Sequence, residues 1–132
     1  MAKPNSTLRI ALALVGATCL ALGPLMLVWP AGWRWSPHHA YYEQMMVGLY
    51  FTLGIFLIRA SKDPLQHPSI IWFAVWSSIV HASIMTIQAL TDPEHRGHLV
   101  ADVPALFLAA AVLSFLLLRR QQPLPSLPVQ ST

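Results

Sequence analysis

Charge is what this chain has least of. Eight Lys and Arg and five Asp and Glu are spread over 132 residues, while apolar residues make up 55%. A water-soluble domain covers itself with polar surface, and about a quarter of its residues are charged. That surface cannot be built here, so the solvent this sequence suits is lipid. Cysteine is nearly absent too. Cys19 has no second cysteine to pair with and lies in an apolar run, where packing is its expected role. The basic residues stand singly or in pairs, and the formal charge of +3 never gathers into the stripe that a phosphate backbone requires. Nucleic acid is thereby excluded as a partner. An internal repeat is missing as well, which leaves an inverted-repeat transporter without support, and a chain this small would have to oligomerise to enclose a pore.

What is present is four apolar segments: Leu8 to Trp29, Ala40 to Ile58, Ser69 to Leu90 and Leu99 to Leu118. Each is near the roughly 20 residues that a helix needs to cross about 30 Å of hydrocarbon. Short connections make consecutive helices antiparallel neighbours. The sequence therefore predicts an all-α integral membrane protein, an up-down-up-down four-helix bundle occupying residues 1–120. A Pro-rich tail, residues 121–132 with Pro123, Pro125 and Pro128, is expected to be disordered. Lys3 and Arg9 ahead of an apolar stretch resemble the start of a secretory signal. The run that follows is longer than a signal core and ends in aromatic residues, as a spanning helix does. A lipoprotein cleavage before Cys19 does not fit Thr18 and Gly16 in the places that matter.

Orientation follows from the basic residues, which are retained on the cytoplasmic side. Lys3, Arg9, Arg59, Lys62, Arg119 and Arg120 map to one side, against Arg34 and Arg96 on the other, so both termini are expected in the cytoplasm. Trp29, Trp33, Trp35, Tyr41 and Tyr42 would then form a belt at the outer interface. Ser36-Pro37 suits an N-cap with proline in the first turn, followed by His38 and His39. Asp63-Pro64 and Pro68-Ser69 bracket a turn, Asp92-Pro93 separates the third helix from the fourth, and Pro24 should kink the first.

Ionisable groups at membrane depth cost about 2.5–3.5 kcal/mol when central, so each calls for a reason. Glu43 shares a helical face with His39, Met46, Val47 and Tyr50. His81 is nearly central in the third helix, with Ser78, Met85 and Gln88 on its side. Asp102 opens the fourth helix above Ala105 and Ala109, whose small side chains allow close approach, and His95 and His98 lie just before it. The expected topology brings His38, His39, Glu43, Gln88, His95, His98 and Asp102 to one side of the membrane, with Glu43 and Asp102 turned into the bundle. Carboxylates with imidazoles can hold a transition metal, relay protons or hydrogen-bond a quinone head group. The same residues also have plainer roles. Asp102 can be an N-cap, Glu43 a hydrogen-bonded interior residue, His81 an interhelical hydrogen-bonder, and His95 and His98 solvated loop side chains.

The runs Tyr42-Glu43-Gln44-Met45, Gly48-Leu49-Tyr50, Gly54 to Ala60, Trp72-Phe73, Trp76 to Ala82, Gln88-Ala89-Leu90, Arg96-Gly97-His98-Leu99 and Asp102 to Leu106 resemble a group of small bacterial four-span membrane proteins. That group is known only as a domain of unknown function. The resemblance covers roughly the last two-thirds of the chain before the tail. It implies a four-span fold and a bacterial inner-membrane location, and it implies no reaction, cofactor or functional residue. In layout alone the chain is also loosely similar to the DoxX-like set of short four-helix membrane proteins.

No nucleophile-base pairing, phosphate loop or paired metal motif is legible. The expectation is a non-enzymatic multi-pass protein of the bacterial inner membrane. Its polar cluster of Glu43, His81 and Asp102, with His98, Gln88 and His39 near, would serve helix packing and the docking of another membrane protein or a second copy. The alternative is an oxidoreductase or electron-transfer accessory that holds a metal, haem or quinone through His81, Glu43, His98 and Asp102. Proton-coupled transport by an oligomer is a third, dependent on Glu43.

Overall fold

The structure, a computed structural model, describes residues 6–28 and 41–121, the side chains of Glu43, Glu94 and His95 excepted. Outside the described residues lie Lys3, the belt residues Trp29, Trp33 and Trp35, the Ser36-Pro37 cap, His38, His39 and the Pro-rich tail.

Four α-helices follow the four apolar runs: α1 Ser6–Val28, α2 Tyr41–Ala60, α3 Pro68–Thr91 and α4 Asp102–Gln121. A 3-10 turn, Pro64–Gln66, joins α2 to α3, and a 3-10 segment, Pro93–Leu99, leads from α3 into α4. Proline sets both junctions. Pro64 and Pro68 in the first and Pro93 in the second each stand at the start of a helical segment, where their missing N–H costs nothing. Because the 3-10 segment carries the chain through Leu99, α4 opens at Asp102, three residues after the apolar run begins. Pro24 lies inside α1.

α1, α3 and the stretch Arg96–Gln121 are long and apolar enough to cross a membrane. The apolar part of α2, Gln44–Ala60, is shorter, about 25 Å at 1.5 Å per residue. Large apolar side chains stand exposed along every helix, among them Leu14, Phe56, Trp76, Leu108 and Phe115. Such a surface suits a bilayer, where every polar group must be satisfied within the protein. The hydroxyls meet that demand locally. Thr18, Thr52, Ser83 and Thr86 each donate to the carbonyl four residues back, at 2.7–3.0 Å. These hydroxyls are spent on their own helices, so association rests on close packing.

The closest approach is between α1 and α2. A Cβ built on Gly16 would meet the Gly54 carbonyl oxygen at 2.9 Å, and one on Gly54 would meet the Gly16 oxygen at 2.7 Å. Two backbones touch here because neither residue has a side chain. Gly23 faces Val47 one heptad further along, and one heptad the other way Arg9 Nε donates to the Ser61 carbonyl at 2.9 Å. Facing positions thus advance by seven residues on α1 and retreat by seven on α2, the register of an antiparallel pair with a left-handed seam. The Arg9 bond also satisfies a carbonyl just past the end of α2, and Ser61 Oγ donates to another, that of Ile58. Along α3 and α4 the same interval recurs in Val75, Ala82 and Ala89 and in Val103, Ala110 and Leu117, all buried. Alanines at these positions let the two helices lie close.

The apolar core draws on all four helices. Leu8 and Leu12 come from the start of α1, Leu53 and Leu57 from late α2, Ile71, Ala74 and Val75 from early α3, and Ala110, Leu113 and Leu117 from late α4. It therefore sits toward the end where α2 turns into α3. No polar or charged side chain is fully buried among the described residues. The other end, where α4 begins, is less tightly filled and holds the candidate site.

Candidate polar site at the Asp102 end

His81 lies on α3 and is half-buried. Its ring meets the ring of Tyr50 on α2 edge to face, with centroids 5.8 Å apart and planes at 90°. This arrangement sets the positive edge of one aromatic against the negative face of the other. Tyr50 in turn packs against the apolar core, so the contact marks the boundary between that core and the polar end.

Asp102 is the first residue of α4, where a negative charge is favoured by the unsatisfied N–H groups and the helix dipole. Its Oδ2 accepts from His98 Nδ1 at 2.5 Å, one turn earlier in sequence, and both side chains are partly exposed. The pair is thus formed within one segment of chain rather than across helices. Ala101, just before it, supplies the carbonyl that receives the Ala105 N–H. Asp102 and His98 lie within electrostatic reach of His81, and Tyr50 lies within electrostatic reach of Cys19 on α1. Cys19 itself is buried at the α1–α2 crossing beside Gly54.

Of the residues expected from sequence to form a site, His98 and Asp102 are in contact, and His81 meets Tyr50 instead. Gln88 is exposed near the end of α3, two turns beyond His81. Glu43 occupies α2 one heptad from Tyr50, which places its position on the stripe that meets α3, but its side chain is outside the described residues, as is all of His39. Tyr50 was legible only as a neighbour on the face of Glu43. The seven-residue spacing from Glu43, combined with antiparallel pairing of α2 and α3, is the signal that places it opposite His81. Among the described residues no three His, Cys, Asp or Glu side chains come close enough to hold a metal ion. What the arrangement offers is a mixed patch of two imidazoles, a carboxylate and a phenol, fit for hydrogen bonding and for stacking against a ring.

Comparison with known proteins finds a family of unknown function. The model of a family described as "Family of unknown function (DUF6632)" matches residues 2–125, so the match begins well before Tyr42 and takes in α1. No curated protein matches. No solved structure matches either.

Proposed function

Because the chain belongs to this family of unknown function, which establishes kinship and no activity, we propose its role from the site: a non-enzymatic four-span protein whose polar patch ties its helices together and offers a docking point. The observation that carries this is the placement of His81. Its ring is taken up by Tyr50 of the neighbouring helix, and Asp102 and His98, which act on it electrostatically, are hydrogen-bonded to each other. Groups so matched act first on packing.

In this proposal the helices form an up-down-up-down bundle in a bacterial inner membrane, with both termini cytoplasmic. Support comes from Arg9, Arg59, Lys62, Arg119 and Arg120, which lie at the core-bearing end, against Arg96 at the other. Arg119 lies over the Phe115 ring at 4.3 Å, as expected of a cation anchored at an interface. The shorter α2 spans by local thinning of the bilayer and by the reach of Arg59 toward the interface. The likeness to DoxX-like proteins belongs to the same proposal, as a statement about layout only. Glu43 belongs to the patch by its register on α2, and a partner reaching the patch is another membrane protein or a second copy.

The test is the combined variant Glu43→Gln, His81→Ala, Asp102→Asn, purified in detergent beside the native protein. The expected outcome is a lower melting temperature and loss of any assembly seen with the native chain. Unchanged folding and assembly would contradict the proposal. So would a stoichiometric metal or an absorbance band present in the native protein and lost in the variant, which would favour the oxidoreductase alternative instead.

A further inference from the structure

α2 and α3 meet less closely than the other sequence neighbours, and an open groove of about 420 Å³ runs between them. Its lining includes Gly48, Leu49, Thr52 and Phe56 of α2 with Ile70 and Phe73 of α3. The groove has a local cause. Nothing lies within 4 Å of where a Gly48 Cβ would stand, so the missing side chain leaves a gap that α3 does not fill. The one hydroxyl in the lining, that of Thr52, donates to the Gly48 carbonyl at 3.0 Å and is withdrawn from the groove. What remains is an apolar slot. From Gly48 to Phe56 it follows α2 for about 12 Å.

The slot ends under charge. The next position on its stripe is Arg59, three residues past Phe56 and seven past Thr52, and Arg59 is exposed. Lys62, also exposed, follows in the turn. Asp63 is the one acidic residue at that end among the described residues, against Arg9, Arg59, Lys62, Arg119 and Arg120. Arg9 is held by the Ser61 carbonyl. An apolar slot with two exposed cations in the turns that follow it is complementary to one molecular form: an acyl chain attached to a negatively charged head group.

We propose that the α2–α3 groove binds an anionic phospholipid, its acyl chain along Gly48, Phe56 and Phe73 and its phosphate against Arg59 and Lys62. This rests on the membrane placement proposed above. The bound chain fills the gap left by Gly48, and the head group fixes the short helix α2 at the interface.

The experiment uses the full chain in detergent, titrated with phosphatidylglycerol and, separately, with phosphatidylcholine of the same acyl chains. Native mass spectrometry counts bound lipids, and a thermal scan reads stabilisation. The expected result is about a thirtyfold preference for phosphatidylglycerol, the scale of two interfacial cations, with a higher melting temperature. In Arg59→Gln, Lys62→Gln the preference should vanish while phosphatidylcholine binding stays. In Gly48→Leu, which fills open space, both lipids should bind less. Equal binding of the two lipids by the native chain would overturn the proposal, as would a preference that survives loss of both cations. Cross-linking of two chains through Leu49→Cys in Cys19→Ala would also overturn it, by showing that a second copy occupies the groove. Thiol labelling of the loops tests the membrane placement independently, so a failure of lipid selectivity with the four spans intact counts against the groove alone.

Discussion

One added methyl group distinguishes two glycines that look alike in the sequence. At Gly16 it would press on the Gly54 carbonyl and on Ile58, both 2.9 Å away, while at Gly48 it meets open space. Backbone cannot yield as a side-chain tip can, so Gly16→Ala forces α1 and α2 apart, at a cost of roughly 1–3 kcal/mol. Gly48→Ala should be neutral, or stabilise by up to about 1 kcal/mol through helix propensity. Unfolding of both variants in detergent, followed by circular dichroism, checks the contrast. Nothing local in the sequence separates these glycines, because the difference lies in which helix passes by. His81 shows the same limit. Its place in a helix among Ser78, Met85 and Gln88 was legible, and the chemistry of an imidazole made it a candidate. Its contact with Tyr50 depends on how α2 and α3 are paired, which no single helix encodes.

The helices themselves were the most legible level, because a run of apolar residues bounded by Asp-Pro, Ser-Pro or Lys-Asp-Pro leaves the chain little choice in lipid. Four were expected, and the described residues hold four, with three stretches long and apolar enough to span. The start of α4 was harder to place, since Leu99 and Val100 continue the apolar run in composition while Gly97 and the 3-10 segment govern the backbone. Also hidden was the heptad interval that organises each seam, because in a sequence apolar nearly all round the inner stripe does not contrast with the outer one. Contrast appears only as burial. Leu57 is 0% exposed and Leu108 65%. Leu57→Ala should therefore cost about 2–5 kcal/mol, and Leu108→Ala, on the exposed surface, close to nothing. A detergent-unfolding comparison in which the two variants lose equal stability would show that the seams are misassigned.

Taken whole, the molecule is asymmetric along its helices. At one end apolar side chains from four helices close a core, with Arg9, Arg59, Lys62, Arg119 and Arg120 at the same end, and at the other His98 pairs with Asp102 and His81 meets Tyr50 where the packing loosens. That division suits a protein anchored at one face of a membrane and engaged at the other. Of the candidate site, the part carried by α3 and the start of α4 was legible because imidazole and carboxylate are conspicuous in apolar sequence. Tyr50 was not, because a tyrosine near an interface is ordinary. The central claim is that all four helices cross the membrane, the short α2 included. Single cysteines placed at the two ends of α2, at Tyr41 and at Lys62, in a Cys19→Ala chain, probed in intact spheroplasts with a membrane-impermeant thiol reagent, test it most directly. Four spans with a cytoplasmic N-terminus predict that Lys62→Cys is protected until the cells are lysed and that Tyr41→Cys is labelled at once. Equal behaviour of the two, both labelled or both protected in intact cells, would mean that α2 does not cross, and it would contradict the four-span account.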